Sequence, residues 1–114
     1  MTTPTPPKFA IGQSVKLLRS DLYGRTAGKV LDVIRIYKQL MPSGAFDSAG
    51  LTIMETDITG IQLPYEFDGD TLTIHYPATQ FSTARTRQYK SFAWVYVVQT
   101  KCMTTVFSEI CLSK

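Results

Sequence analysis

Two cysteines and one histidine are all that 114 residues offer in the way of thiolate or imidazole metal ligands. Cys102 and Cys111 have no second Cys or His pair beside them, so a tetrahedral zinc site is excluded from the pattern. Two buried thiols are expected from the tendency of free cysteine toward the interior, and a disulfide between them stays open if their strands or loops face each other, although a cytosolic compartment would oppose it. His75 lies between Ile74 and Tyr76 with no serine or cysteine partner placed next to it, and reads as a structural or surface histidine. Charge is scarce too: only 18% of residues are Asp, Glu, Lys or Arg. The net charge of +3 permits a nucleic-acid partner without arguing for one. No apolar run reaches the length that a bilayer span needs, and Met1 to Pro7 has neither a basic start nor an apolar stretch. The expectation is a soluble protein without a membrane partner, in the cytoplasm or in a virion assembled there.

Catalytic machinery is also missing from the pattern. Glu55, Asp57, Glu66, Asp68 and Asp70 are spaced as exposed strand and turn residues, without the order of an EF-hand loop, and there is no glycine-rich phosphate loop. With no constellation of nucleophile, base and orienting group, neither an enzyme nor a cofactor is expected.

What is present is a core former: 44% of residues are apolar, enough for one compact domain of this length. Residues 1–8, with their prolines and threonines, read as an extended, solvated arm. Val15 and Leu17 alternate with polar neighbours in a first strand, which breaks at Ser20 to Gly28. From Lys29 to about Tyr37 the β-branched Val30, Val33, Ile34 and Ile36 favour a second strand. The three-residue spacing of Asp32, Arg35 and Lys38 also fits an amphipathic helix, so 30–41 stays open between the two, with strand preferred.

Beyond Pro42 the chain reads as turns and short strands. Leu51 to Met54 is a strand and Asp57 to Gly60 a turn. Tyr65 to Tyr76 is a β-hairpin, with Asp68-Gly69 suited to a type I′ turn and Pro77 ending the second strand. Phe92, Trp94, Tyr96 and Val98 on one face, with Ala93, Val95 and Val97 on the other, suggest a central strand buried on both sides. Thr105 to Leu112 reads as a last strand or a short helical turn.

The order of these pieces resembles the SH3-like β-barrel group that includes KOW, Tudor and related small phage and bacterial domains. Phe9-x-Ile-Gly12-x-x-Val15-x-Leu17 followed by Gly28-x-Val30 is similar to that group's first hairpin, where glycines before the two strands permit tight chain reversal. Trp94-x-Tyr96-x-Val98, then Ser108-Glu109-x-x-Leu112, resembles its closing strand and the short segment that plugs the barrel. The resemblance implies a mainly β, small SH3-like barrel over 9–114, with an inserted hairpin region at about 38–90 and a flexible N-terminal arm. Members of the group bind RNA, methylated tails, peptides or other subunits, so the resemblance chooses no ligand.

One stretch stands out as a binding surface. Arg85, Arg87 and Lys90 interleave with Tyr89 and Phe92, and an extended strand would put Arg85, Arg87 and Tyr89 on one face. Phosphate contact with base stacking is one use of that face; a charged sheet edge that discourages edge pairing is the other. Arg19 and Arg25 with Tyr23 near the first hairpin extend the surface if the two segments meet. Tyr37 is a further aromatic for a groove or for the core. The leading expectation is a non-catalytic interaction module that docks into a larger assembly, such as a phage or virion component, with a protein partner or a second copy of itself. A KOW-like RNA- or DNA-binding protein is the alternative, and a small inhibitor covering another protein's site is a third.

Overall fold

Ser14–Leu17 (β1) and Ala27–Gln39 (β2) pair antiparallel, with Ser14 opposite Lys29 and Lys16 opposite Ala27. The computed structural model describes residues 6–18, 27–101 and 103–114. The remaining strands are Thr52–Met54 (β3), Tyr65–Phe67 (β4), Thr71–Tyr76 (β5), Arg85–Gln99 (β6), Thr104–Ser108 (β7) and Leu112–Ser113 (β8). Short 3₁₀ turns occupy Glu55–Gly60 and Glu109–Cys111. The protein is mainly β, as expected, and 30–39 is strand and not helix. The strands form one antiparallel sheet in the order β4-β5-β6-β2-β1-β8, with β3 on β2 and β7 on β6. Among the described residues no pairing joins β4 to β8, so the sheet path is open.

Contacts divide the chain into two compact units, Met1–Ile34 with Trp94–Lys114, and Arg35–Ala93. Length alone suggested one core, but the buried apolar residues form two clusters. In the first unit, Phe9, Val15, Leu17, Val30, Tyr96, Val98, Phe107 and Leu112 pack together. The ring of Phe9 meets Tyr96 edge-on at 5.3 Å. Beside it the Lys8 backbone N–H donates to the Tyr96 hydroxyl at 3.0 Å, and that hydroxyl donates to Glu109 Oε2 at 2.5 Å. The chain entering the first core is thus tied to the closing 3₁₀ turn. After this turn β8 returns to β1, with Leu112 opposite Leu17.

Gly12 has φ +89°, which suits the reversal ahead of β1. Gly28 serves a different purpose from the chain reversal expected of it. It lies inside β2, and a Cβ there would collide with Val98 Cγ1 and come within 3.2 Å of the Gln99 carbonyl oxygen. Its requirement is space against β6.

In the second unit, Tyr37, Ile58, Leu72, Ile74 and Tyr89 form the core. The 3₁₀ turn Glu55–Gly60 contributes Ile58, its single buried residue. The β4–β5 hairpin is present, and β5 stops at Tyr76 before Pro77. Its turn differs from the type I′ expectation, which requires positive φ at both central residues. Gly69 has φ +94°, and no non-glycine among the described residues has positive φ. Instead the Asp68 carboxylate accepts the N–H groups of Asp70 at 2.9 Å and Thr71 at 2.7 Å. Those two donors hold its carboxyl below the usual range. Arg35 Nη1 and the Tyr37 hydroxyl both donate to the Gly69 carbonyl at 2.9 Å, fastening the turn to β2.

Candidate interaction surface

The paired strands β5 and β6 carry the surface, and their register sets its composition. Leu72 stands opposite Tyr89, Ile74 opposite Arg87, and Tyr76 opposite Arg85. These residues share one face, since side chains alternate along each strand. The face passes from core to solvent along its length. Leu72 and Tyr89 are buried, Ile74 is buried beside a half-buried Arg87, and Tyr76 is half-buried beside an exposed Arg85.

At the open end both guanidinium groups lie over the Tyr76 ring, Arg85 at 5.5 Å and Arg87 at 5.1 Å from its centroid. An aromatic face attracts cations through its quadrupole, by about 0.5–1 kcal/mol at exposed sites. Among the described residues neither arginine has a carboxylate partner. Burial raises the Tyr89 phenol above its ordinary value, the neighbouring Tyr76 adds to the rise, and the Arg87 guanidinium opposes it.

The basic stretch is therefore divided. Arg85 and Arg87 are at the surface together, but Tyr89 is only 2% exposed and belongs to the second core, a correction to its expected place in the binding surface. Lys90 has the opposite parity and points to the other face, as does Phe92. There Phe92 meets Phe46 at 5.1 Å and Lys38 Nζ at 4.9 Å. Tyr37 is also buried, as a core aromatic. Arg19, Tyr23 and Arg25 lie outside the described residues. So does Cys102, whereas Cys111 is a free, half-buried thiol 3.3 Å from Ser108 Oγ.

A residue with no place in the sequence pattern completes the surface. The connection from β5 to β6 turns sharply at 79–82, where Thr79 and Ser82 form a two-residue bridge. Thr79 Oγ1 accepts the N–H groups of Phe81 at 3.2 Å and Ser82 at 3.1 Å, and the Thr79 N–H donates to the Ser82 carbonyl at 2.8 Å. Phe81 is held on this turn with 89% of its surface exposed. The available signal was its isolation: one phenylalanine in a polar run from Thr79 to Thr83, with no apolar residue at alternating spacing.

At the foot of the same connection is an open groove of about 430 Å³, lined by Pro64, His75, Tyr76, Pro77, Arg85 and Thr86 among others. His75 Nε2 is 3.6 Å from Glu66 Oε1, a surface contact that becomes an ion pair only when the imidazole is protonated. Among the described residues no group of three or more His, Cys, Asp or Glu side chains is placed to hold a metal ion. No described helix is long and apolar enough to cross a membrane. The arrangement combines an exposed apolar side chain, an open groove and two cations that have no carboxylate partner among the described residues. No family model, curated protein or solved structure matches the chain.

Proposed function

We propose that this protein is a non-catalytic interaction module that docks onto a partner protein in a larger assembly through the connection that bears Phe81. The observation that carries this reading is the 89% exposure of Phe81 on a turn closed by its own hydrogen bonds. Burying an exposed phenylalanine yields about 1.5–3 kcal/mol, and a backbone already held in a closed turn loses little entropy on docking. Aromatic anchors of this kind dominate interface energetics when they enter a partner's pocket.

Nucleic-acid binding keeps one observation in its favour, the surface pair Arg85 and Arg87. Base stacking on the same strand has lost Tyr89 to the core, and the Tyr76 ring already carries the guanidinium groups. Protein docking accounts for more of the surface.

The test compares wild type with Phe81→Asp in quantitative capture from a native lysate, alongside circular dichroism to verify the fold. The expected result is one or more proteins whose recovery falls about tenfold or more in the variant, as loss of a buried anchor requires. Equal recovery by a folded variant would end the proposal.

A further inference from the structure

We infer that the groove at the foot of the Phe81 connection takes an extended acidic segment of a partner protein, with its carboxylates on Arg85 and Arg87. This inference rests on the protein-docking reading and adds the chemistry of what is docked.

Arg85 and Arg87 occupy alternate positions of β6, and both lie over one ring, Tyr76. Two like charges held side by side repel each other, so the stack keeps in place an arrangement that an anion would relieve. Among the described residues no carboxylate does so. A guanidinium offers a planar fork that matches a carboxylate in two parallel hydrogen bonds, and stacking pre-orients that fork.

Alternate residues of a strand are roughly 7 Å apart, so same-face acidic residues of an extended peptide recur at the interval of the two arginines. Pro64, Pro77 and Tyr76 supply the groove's apolar lining and His75, Arg85 and Thr86 its polar groups, and Arg87, outside that lining, lies over the same Tyr76 ring. The groove's ≈ 430 Å³ is the size of a site that holds a few side chains. A nucleic acid would satisfy the arginines equally well. It would find no stacking platform in Tyr89, which is buried, or in the ring face of Tyr76, which the guanidinium groups cover.

The experiment uses the full chain as bait for a randomised peptide display library, with synthetic copies of the enriched peptides then measured by fluorescence anisotropy. We expect enriched peptides with Asp or Glu at alternate positions, whose affinity falls about tenfold or more in the Arg85→Gln, Arg87→Gln double variant. Single Arg85→Gln, at an exposed position, is expected to lose part of this affinity and guards against misfolding of the double variant. Amide shifts on peptide addition should centre on His75, Tyr76 and Thr86. Enriched peptides without acidic residues, or acidic ones that the arginine variants bind as well as wild type does, overturn the inference. The docking reading then stands as long as Phe81→Asp still abolishes partner capture. If no peptide is enriched and single-stranded oligothymidylate binds with a steep salt slope that flattens in the double variant, the ligand is nucleic acid and both readings fall.

Discussion

Tyr96 is fully buried, and its hydroxyl is fully engaged, accepting from the Lys8 N–H and donating to Glu109 Oε2. Burial, reinforced by the carboxylate that accepts its proton, pushes the phenol from 10.0 up to about 12. A raised phenol pKa means that the folded state keeps a proton the unfolded state has already released. The stability linked to Tyr96 is therefore complete below pH 10 and is lost as the pH rises from there to about 12. Burial also raises Tyr37 and Tyr89, and both contribute to the same alkaline loss. Tyr96→Phe should cost roughly 1 kcal/mol at neutral pH, the usual net value of a hydrogen bond whose remaining partners can turn to water. It should also flatten, without abolishing, the alkaline decline in a urea-unfolding series run across this pH range. An unchanged slope would show that Tyr96 does not carry the linkage.

At the scale of elements, the β4–β5 hairpin shows both what a sequence pattern can reveal and where it stops. Alternation through Tyr76 and the stop at Pro77 are local properties, and both matched the structure. The turn did not, because Asp-Gly serves equally a type I′ pair and a connection in which Asp68 caps two backbone donors while Gly69 alone goes left-handed. Gly69→Ala should then destabilise the protein by about 1 kcal/mol through φ alone, since no atom lies within 4 Å of the added methyl. Equal urea midpoints for wild type and variant would refute that account. The long strands are less legible from their residues alone. In β2, Val30 joins one core and Tyr37 the other; in β6, Tyr89 joins one while Tyr96 and Val98 join the other. Each strand changes the parity of its buried side chains along its length. That change gave 30–41 its resemblance to a helical period. It also made the stretch from Phe92 to Val98 look buried on both faces, although Phe92 is exposed. The candidate surface suffered most from this effect. Alternation placed Arg85, Arg87 and Tyr89 on one face correctly, but only pairing with Leu72 reveals that the face descends into a core before it reaches Tyr89.

For the molecule as a whole, two cores in 114 residues raise the question of whether folding is one event or two. Domains of this size usually unfold in a single cooperative transition. Each core here nevertheless has its own anchors, Val15, Val30, Tyr96 and Val98 in one, Tyr37, Leu72 and Tyr89 in the other, all nearly inaccessible to solvent. Leu72 has 0% exposure, so Leu72→Ala removes a packed side chain at a cost of about 2–5 kcal/mol. If the cores are separate cooperative units, that loss stays within Arg35–Ala93. Native-state hydrogen exchange should then show protection falling steeply at the β5–β6 amides around Ile74 and Tyr89. Amides of the β1–β2 and β6–β7 ladders, near Val30 and Val97, should keep theirs nearly unchanged. Because β2 and β6 each contribute residues to both clusters, the alternative is specific: protection that falls by the same factor in every ladder means that the two cores unfold as one.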